Sequence, residues 1–351
     1  MNTLIREINP EKFSDQELFE AAKMISEGKL VVMPTETVYG LGANALDPDA
    51  CLSIFDAKMR PADNPLIVHV LSPADFEKYA DVSGQVLLEE LSRRFMPGPL
   101  TVILPKKDVI SHAVTGGLDT VALRCPSHPV ARALIRMSGK PIAAPSANRS
   151  GRPSPTIAQH VIDDMDGRVH MIIDSGACQV GLESTVIALC GDKITLLRPG
   201  FVTLEDLKEV TENVIVSPAV LSSLKEGEKA ESPGMKYRHY APEVPVTMVD
   251  GEEETVLKFL KEQLSKGYGV LCFEEDLDFL FDNKNEKHLI SFGSKNDLLS
   301  QAGKLFDALR RFDAVTVPRI FARSTKKGEL GLAISNRLLR ACAFDILHLE
   351  K

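Results

Sequence analysis

The sequence predicts an α/β protein: an open, twisted sheet of mixed strand direction, then a linker, then a smaller α/β domain. Three observations predict it. Strand-like apolar runs alternate with helix-like segments over residues 1–210, yet several strands follow one another with no helix between them. Residues 211–245 are linker-like, with Ser217-Pro218 and the polar run KEGEKAESPG. From residue 246 the alternation restarts and continues to residue 351. A length of 351 residues suits two domains at roughly 150 residues each.

The elements follow in order. Asp15 is the expected N-cap of a helix whose apolar positions are Leu18, Ala21, Ala22 and Ile25, with Gly28 as its stop. The run from Leu30 to Met33 reads as a buried strand ended by Pro34. Helices are expected at 48–57, 84–95, 129–138 and 156–165. Strands are expected at 66–70, 100–104, 120–123, 141–144, 169–173, 184–189 and 193–197. In the last domain, a strand from 246 is followed by helix 252–265 and strands 269–273 and 288–291. Helix 296–311, strand 314–318, helix 331–342 and strand 345–349 complete it. The linker also carries a basic-aromatic cluster, Lys236-Tyr237-Arg238-His239-Tyr240, which predicts that part of it docks.

Composition excludes several classes. The net charge is −8; residues 1–210 carry 21 basic against 27 acidic side chains, and the remainder 20 against 22. A globally basic nucleic-acid coat is excluded, whereas a local basic groove is not. No run approaches the roughly 18 apolar residues of a membrane span, and the first residues, MNTLIREINPEKFS, have no apolar signal core. The six Cys are scattered with no CxxC pair, so they read as reduced thiols of a cytoplasmic protein.

Five segments could carry chemistry. PTETVYGLGANA, residues 34–45, reads as a glycine loop after a strand, able to bring backbone N–H groups to a ligand or to serve as a plain turn. Its match to a dinucleotide fingerprint is poor, because six residues separate Met33 from the first Gly. Lys58 and Arg60 at a helix end form either a phosphate clamp or favourable charge at the helix C-terminus. Arg124 closes a buried strand and calls for a partner, either a substrate carboxylate or a structural acid. Residues 143–154, AAPSANRSGRPS, form a hydroxyl- and amide-rich loop at a strand end, where α/β proteins bind ligands; a surface loop is the alternative. Ser184 and Arg198 mark two further strand ends. These groups are donors without an evident general base, which suits phosphate chemistry by positioning and charge stabilisation.

Taken in order, PTETVYGLG, KMRPADNPL, PGPLTVIL, VALRCPSHP, APSANRSGRPSPT and ESTVI…LRPG resemble the YrdC-like domain of the L-threonylcarbamoyladenylate synthase family over residues 13–205. SPGMKYRHYAP resembles the linker of that family's two-domain form, and GELGLAISNRLLRACA the end of its Rossmann-like C-terminal domain. The resemblance implies a YrdC-like catalytic domain at 1–210, a linker or lid at 211–245 and a Rossmann-like domain at 246–351. It implies condensation of L-threonine, bicarbonate or CO2, and ATP to threonylcarbamoyl-AMP and pyrophosphate. A transferase would then pass the threonylcarbamoyl group to the adenosine 3′ of the anticodon in tRNA.

By the same resemblance, Thr37, His69, Arg124 and Ser184 hold L-threonine, with Arg124 on its carboxylate. Lys58, Arg60 and Asn64 surround the ATP phosphates, Lys58 and Arg60 neutralising charge during the reaction. Thr120, Ala144, Ser146, Asn148 and Ser154 line the nucleotide pocket, and Arg198 meets nucleotide at its far rim. Tyr237 and Tyr240 close over the site. Mg2+ is expected with ATP, on phosphates and water rather than in a protein cage. Two rivals compete: a non-catalytic RNA-binding module, and a carbamoyl-transfer enzyme of the hydrogenase-maturation type. Acidic net charge disfavours the first, and the lack of CxxC pairs disfavours the second.

Overall fold

The computed structural model describes residues 1–222, 240–281, 286–326 and 328–350. The chain divides into two units. One holds Met1–Ser150 and Ser154–Val220; the other holds Gly151–Pro153 and the described residues from 240 onward.

The first unit is built on eleven strands: β1 (Leu4–Glu7), β2 (Val31–Met33), β3 (Gly40–Asn44), β4 (Ile67–His69), β5 (Leu100–Pro105), β6 (Thr120–Arg124), β7 (Ile142–Ala143), β8 (Met171–Asp174), β9 (Thr185–Cys190), β10 (Lys193–Arg198) and β11 (Val214–Val216). Their order is β1-β8-β2-β3-β7-β4-β6-β5-β9-β10-β11. Neighbours β4 and β6 run parallel, as do β5 and β9, whereas β3, β7 and β4 alternate in direction and β5 opposes β6. The mixed-direction sheet is therefore as expected.

Local signals explain most elements. The helix Asp15–Ser26 buries Leu18, Ala21, Ala22 and Ile25 against Val31, Met33, Val130 and Leu134. Its N-cap is Ser14 rather than Asp15, because Glu17 reaches back to accept the Ser14 N–H at 2.8 Å. In the helix Pro48–Lys58, Asp47 accepts from the backbone N–H groups of Asp49 and Ala50, and Pro48 occupies the first turn. Met59, with φ 54°, stops that helix one residue after Lys58.

The two glycines do not lie in a loop: Gly40–Asn44 forms β3, buried along its length between β2 and β7. A Cβ on Gly42 would lie 3.0 Å from the Val31 carbonyl oxygen and from Ile142 Cγ2, so glycine here permits close strand packing. The segment lacks β-branched residues, which hides the strand from sequence reading.

The second unit is an all-parallel sheet of β12 (Val246–Gly251), β13 (Gly269–Cys272), β14 (Leu289–Ser291), β15 (Ile320–Arg323) and β16 (Ile346–Leu349), ordered β14-β13-β15-β12-β16. In the dinucleotide-binding arrangement the first two strands are neighbours; here β15 lies between β12 and β13. The strand expected at 314–318 lies at Ile320–Arg323 instead. Phe312–Ala314 forms a 3-10 turn and Pro318 has no N–H for the ladder, so pairing starts beyond it. Val249, Val256, Leu260, Val270 and Phe321 share one core cluster of this unit.

Candidate active site

Arg124 ends β6, where register fixes its neighbours: His69 of β4 on one side and Thr101 of β5 on the other. Its guanidinium is held at three points. Nε donates to the Gly98 carbonyl at 3.4 Å, Nη1 to Thr37 Oγ1 at 2.9 Å and Nη2 to Glu36 Oε1 at 2.7 Å. The Arg124 and Glu36 side chains are each 4% exposed.

The turn carrying Glu36 and Thr37 is stiff. Thr35 Oγ1 accepts the backbone N–H groups of Thr37 and Val38, each at 3.2 Å, and donates to the Val38 carbonyl at 2.6 Å. A hydroxyl has one proton, so the 2.9 Å contact between the two threonine hydroxyls must use the Thr37 proton. Thr37 Oγ1 thus accepts from Arg124 and has its own proton committed.

Electrostatics follow from burial and the ion pair. Burial pushes the Glu36 carboxyl upward, but the Arg124 charge and hydrogen bond outweigh it and hold the group below its ordinary value, with smaller help from the backbone N–H groups of Glu36 and Ser127. Burial and the nearby Arg124 cation push His69 down to about 3, so its ring is neutral at physiological pH. Burial raises the Cys51 and Cys125 thiols to about 12, which fits neither as a nucleophile. All six cysteines are free.

Ser184 lies just ahead of β9. Its hydroxyl is 2.7 Å from Thr101 Oγ1, and Arg198 grips it twice, Nη2 to Ser184 Oγ and Nε to the Ser184 carbonyl, both at 3.1 Å. Arg124 bonds Thr37 and Ser184 bonds Thr101, while strand register sets Thr101 and His69 beside Arg124, so these buried side chains form one cluster. Arg198, expected at a nucleotide rim, is bonded to Ser184 within that cluster.

A second group forms beyond β7. Lys58 Nζ donates to the carbonyls of Ser146 and of Asn148, the latter at 2.7 Å. The Ser150 N–H returns to the Lys58 carbonyl at 2.9 Å, tying the loop after β7 to the helix end. Ala144 leaves β7 with its N–H on the Ile67 carbonyl at 2.9 Å, and Ser146 bridges to Gly40. Asn148 Nδ2 donates to the Arg149 carbonyl at 2.8 Å. Arg60 is 9% exposed, its guanidinium 5.8 Å from the Phe55 ring centroid. Asn64 is fully buried, and neither polar atom of its side-chain amide has a hydrogen-bond partner among the described residues. Such a group costs free energy unless a ligand satisfies it.

The remaining expected residues are each held by their own neighbours. Thr120 opens β6, about 13 Å along the strand from Arg124 at the usual rise, at the same strand end as Asn64. Ser154 donates to Glu183 Oε1. Tyr240 is 5% exposed, stacks on Phe306 with centroids 5.2 Å apart, and lies beneath the Arg337 guanidinium. Tyr237 lies outside the described residues. Sequence reasoning missed Glu36, Thr101 and Glu183. The signal for Glu36 was a carboxylate flanked by two threonines just before a buried segment; for Thr101, a hydroxyl inside the apolar strand LTVIL.

A mixed sheet with arginines at strand ends, and a lysine, hydroxyls and an unsatisfied amide on the segments between strands, defines a ligand-binding α/β enzyme domain, followed here by an all-parallel α/β domain. Residues 23–200 match the family model described as telomere recombination, and residues 202–343 that described as threonylcarbamoyl-AMP synthase, C-terminal domain. The chain is 44% identical to the threonylcarbamoyl-AMP synthase of Pyrococcus abyssi, over 96% of this chain and 97% of that protein. It is 45% identical to the Bacillus subtilis enzyme of the same name, over 95% of each. The crystal structure of P. abyssi Sua5 complexed with L-threonine superposes with a TM-score of 0.91 at 43% identity, covering 99% of this chain and 100% of that one. The chain belongs to the threonylcarbamoyl-AMP synthase family, in its two-domain form. It is accordingly an enzyme that makes threonylcarbamoyl-AMP for tRNA modification. The match over 202–343 also sets aside the carbamoyl-transfer alternative. Among the described residues, no helix is long and apolar enough to cross a membrane.

Proposed function

We propose that residues 1–210 carry out the synthesis with the two groups just described, the network around Arg124 taking L-threonine and the group around Lys58 and Asn64 taking ATP. The observation that carries this reading is the Arg124 guanidinium, held in place beside a neutral His69. The three acceptors leave one N–H on each terminal nitrogen, the number a bidentate carboxylate takes. Ser184, fixed by Arg198, supplies a hydroxyl, and Thr37, its proton committed, an acceptor oxygen.

The chemistry asks little of a protein nucleophile. The neutral amine of threonine adds to CO2, losing a proton and forming a carbamate. A carbamate oxygen attacks the α-phosphorus of ATP, and the bond to the β-phosphate oxygen breaks as pyrophosphate leaves. With bicarbonate as the source, water is released. The protein's task is to hold the carbamate in line and to neutralise phosphate charge. Lys58, Arg60 and the amide of Asn64 serve the phosphates; Ala144, Ser146, Asn148, Ser154 and Thr120 serve the nucleotide. A neutral His69 adds a ring at the threonine site without adding a charge. Among the described residues no group of three or more His, Cys, Asp or Glu is arranged to hold a metal ion. Mg2+ enters with ATP as the MgATP substrate, on phosphates and water. The product, a labile mixed anhydride, goes to a transferase acting on tRNA.

The test is mass spectrometry of a short incubation with MgATP, L-threonine and labelled bicarbonate. The expected species is threonylcarbamoyl-AMP carrying the label, with pyrophosphate in equal amount. Intact ATP, or ADP with phosphate, would overturn the reading.

A further inference from the structure

The proposed chemistry gives the buried carboxylate of Glu36 no task. Glu36 is 3% exposed, and among the described residues its ion-pair partner is Arg124. We propose that Glu36 is a positioning residue, locking the Arg124 guanidinium in the orientation that receives the carboxylate of the amino-acid substrate. This rests on the assignment of threonine to Arg124 above.

The argument is geometric. An arginine has rotatable bonds up to Nε, and a planar fork must be aimed to grip a carboxylate with two N–H groups. The Gly98 carbonyl, at 3.4 Å from Nε, is a long contact and sets the plane only loosely. Thr37 Oγ1 is a neutral acceptor. Glu36 supplies the short, charge-assisted contact, at 2.7 Å to Nη2. Glu36 and Thr37 are consecutive, so their two contacts reach the two terminal nitrogens from one rigid turn, stiffened by Thr35. This makes a two-point clamp. The carboxylate also keeps a buried guanidinium compensated while no substrate is bound, which an uncharged acceptor does not.

The test is a double-mutant cycle on the full chain: wild type, Glu36→Gln, Arg124→Lys and the double variant. Calorimetry reads L-threonine binding, and initial rates read KM and kcat for both substrates. Gln keeps the shape and one acceptor oxygen but removes the charge. E36Q is expected to weaken threonine binding about tenfold or more. Its ATP KM and its kcat should stay within about threefold of wild type. In the R124K background, E36Q should change threonine binding by less than about threefold, because the fork it aims is gone. E36D, with the charge kept but the reach shortened, should fall between wild type and E36Q. Equal fold-changes in both backgrounds, or an ATP KM moving in step with the threonine KM, would overturn the proposal. Thermal melting checks folding, and E36D carries the same cycle should E36Q melt below assay temperature. An R124K protein that binds threonine like wild type would sink the threonine assignment itself, and Glu36 with it. A damaged R124K with an additive E36Q sinks Glu36 alone.

Discussion

Each unit of the molecule buries an arginine beside a carboxylate, and the two pairs behave oppositely. In the first unit Arg124 and Glu36 meet at 2.7 Å with a hydrogen bond; in the second, Arg323 and Asp276 are 3.6 Å apart. Burial is similar in both, with side chains 4% and 4% exposed against 8% and 3%. Glu36 is nonetheless held below its ordinary pKa, whereas burial pushes Asp276 above its own, Arg323 and the Phe273 N–H only partly offsetting it. The difference is geometry. Arg323 Nη1 has no hydrogen-bond partner among the described residues, and its guanidinium lies 5.2 Å from the Phe273 ring centroid. At equal burial, a short directed contact decides whether a carboxylate stays charged.

Arginine deletion should separate the pairs most widely. Arg124→Ala leaves a charged Glu36 buried alone, a loss of about 3–5 kcal/mol. It should also weaken threonine binding about 10- to 150-fold. Arg323→Ala leaves Asp276, which is already pushed toward its neutral form and can take up a proton. That variant should lose less stability in urea and bind threonine normally. Equal losses in the two variants would break the comparison.

A smaller effect comes from His69, next to Arg124. Its pKa is about 3 when folded, against roughly 6.5 for a free imidazole. Between those values the unfolded chain binds a proton that the folded one does not, so stability falls as pH drops from 6.5 toward 3. The loss at pH 5 should be about 2 kcal/mol relative to neutral pH. In His69→Asn this part of the slope should vanish from urea midpoints measured at pH 5 and 7. An unchanged slope would mean that the imidazole is not kept neutral.

The smallest effect has a sign that sharpens the contrast. The raised pKa of Asp276 means that its favourable contribution belongs to the protonated form and is lost as pH rises through the folded pKa. The lowered pKa of Glu36 means the reverse: its contribution is present above the unfolded pKa and lost as pH falls through the folded one. At pH 7, Asp276→Asn should therefore be neutral or stabilising, within about 1 kcal/mol. Glu36→Gln should be destabilising under the same conditions. Thermal melts giving both variants the same sign would contradict the geometric account.

Much of this was legible in the sequence. The helix Pro129–Ser138 has the bounds its pattern predicts, with Pro129 inside the first turn and Gly139 just past the last. The helix Pro48–Lys58 differs by one residue from expectation, with Lys58 at its end. The strand Gly40–Asn44 was not legible, because Gly40 answers to Ala144 and Gly42 to Val31 and Ile142 across the sheet rather than to local preference. Nor was Glu36, whose partner lies 88 residues away.

The sequence by itself determined the α/β class and most element positions, along with the ordered motifs that resemble one enzyme family. Those properties reside in caps, breakers and apolar periods spanning a few residues. The tertiary structure alone decided the all-parallel order of the second sheet, the pairing of Glu36 with Arg124 and the bonding of Arg198 to Ser184. Each depends on which distant strands become neighbours and in what register, and that is set by packing of the whole sheet rather than by any local stretch of chain.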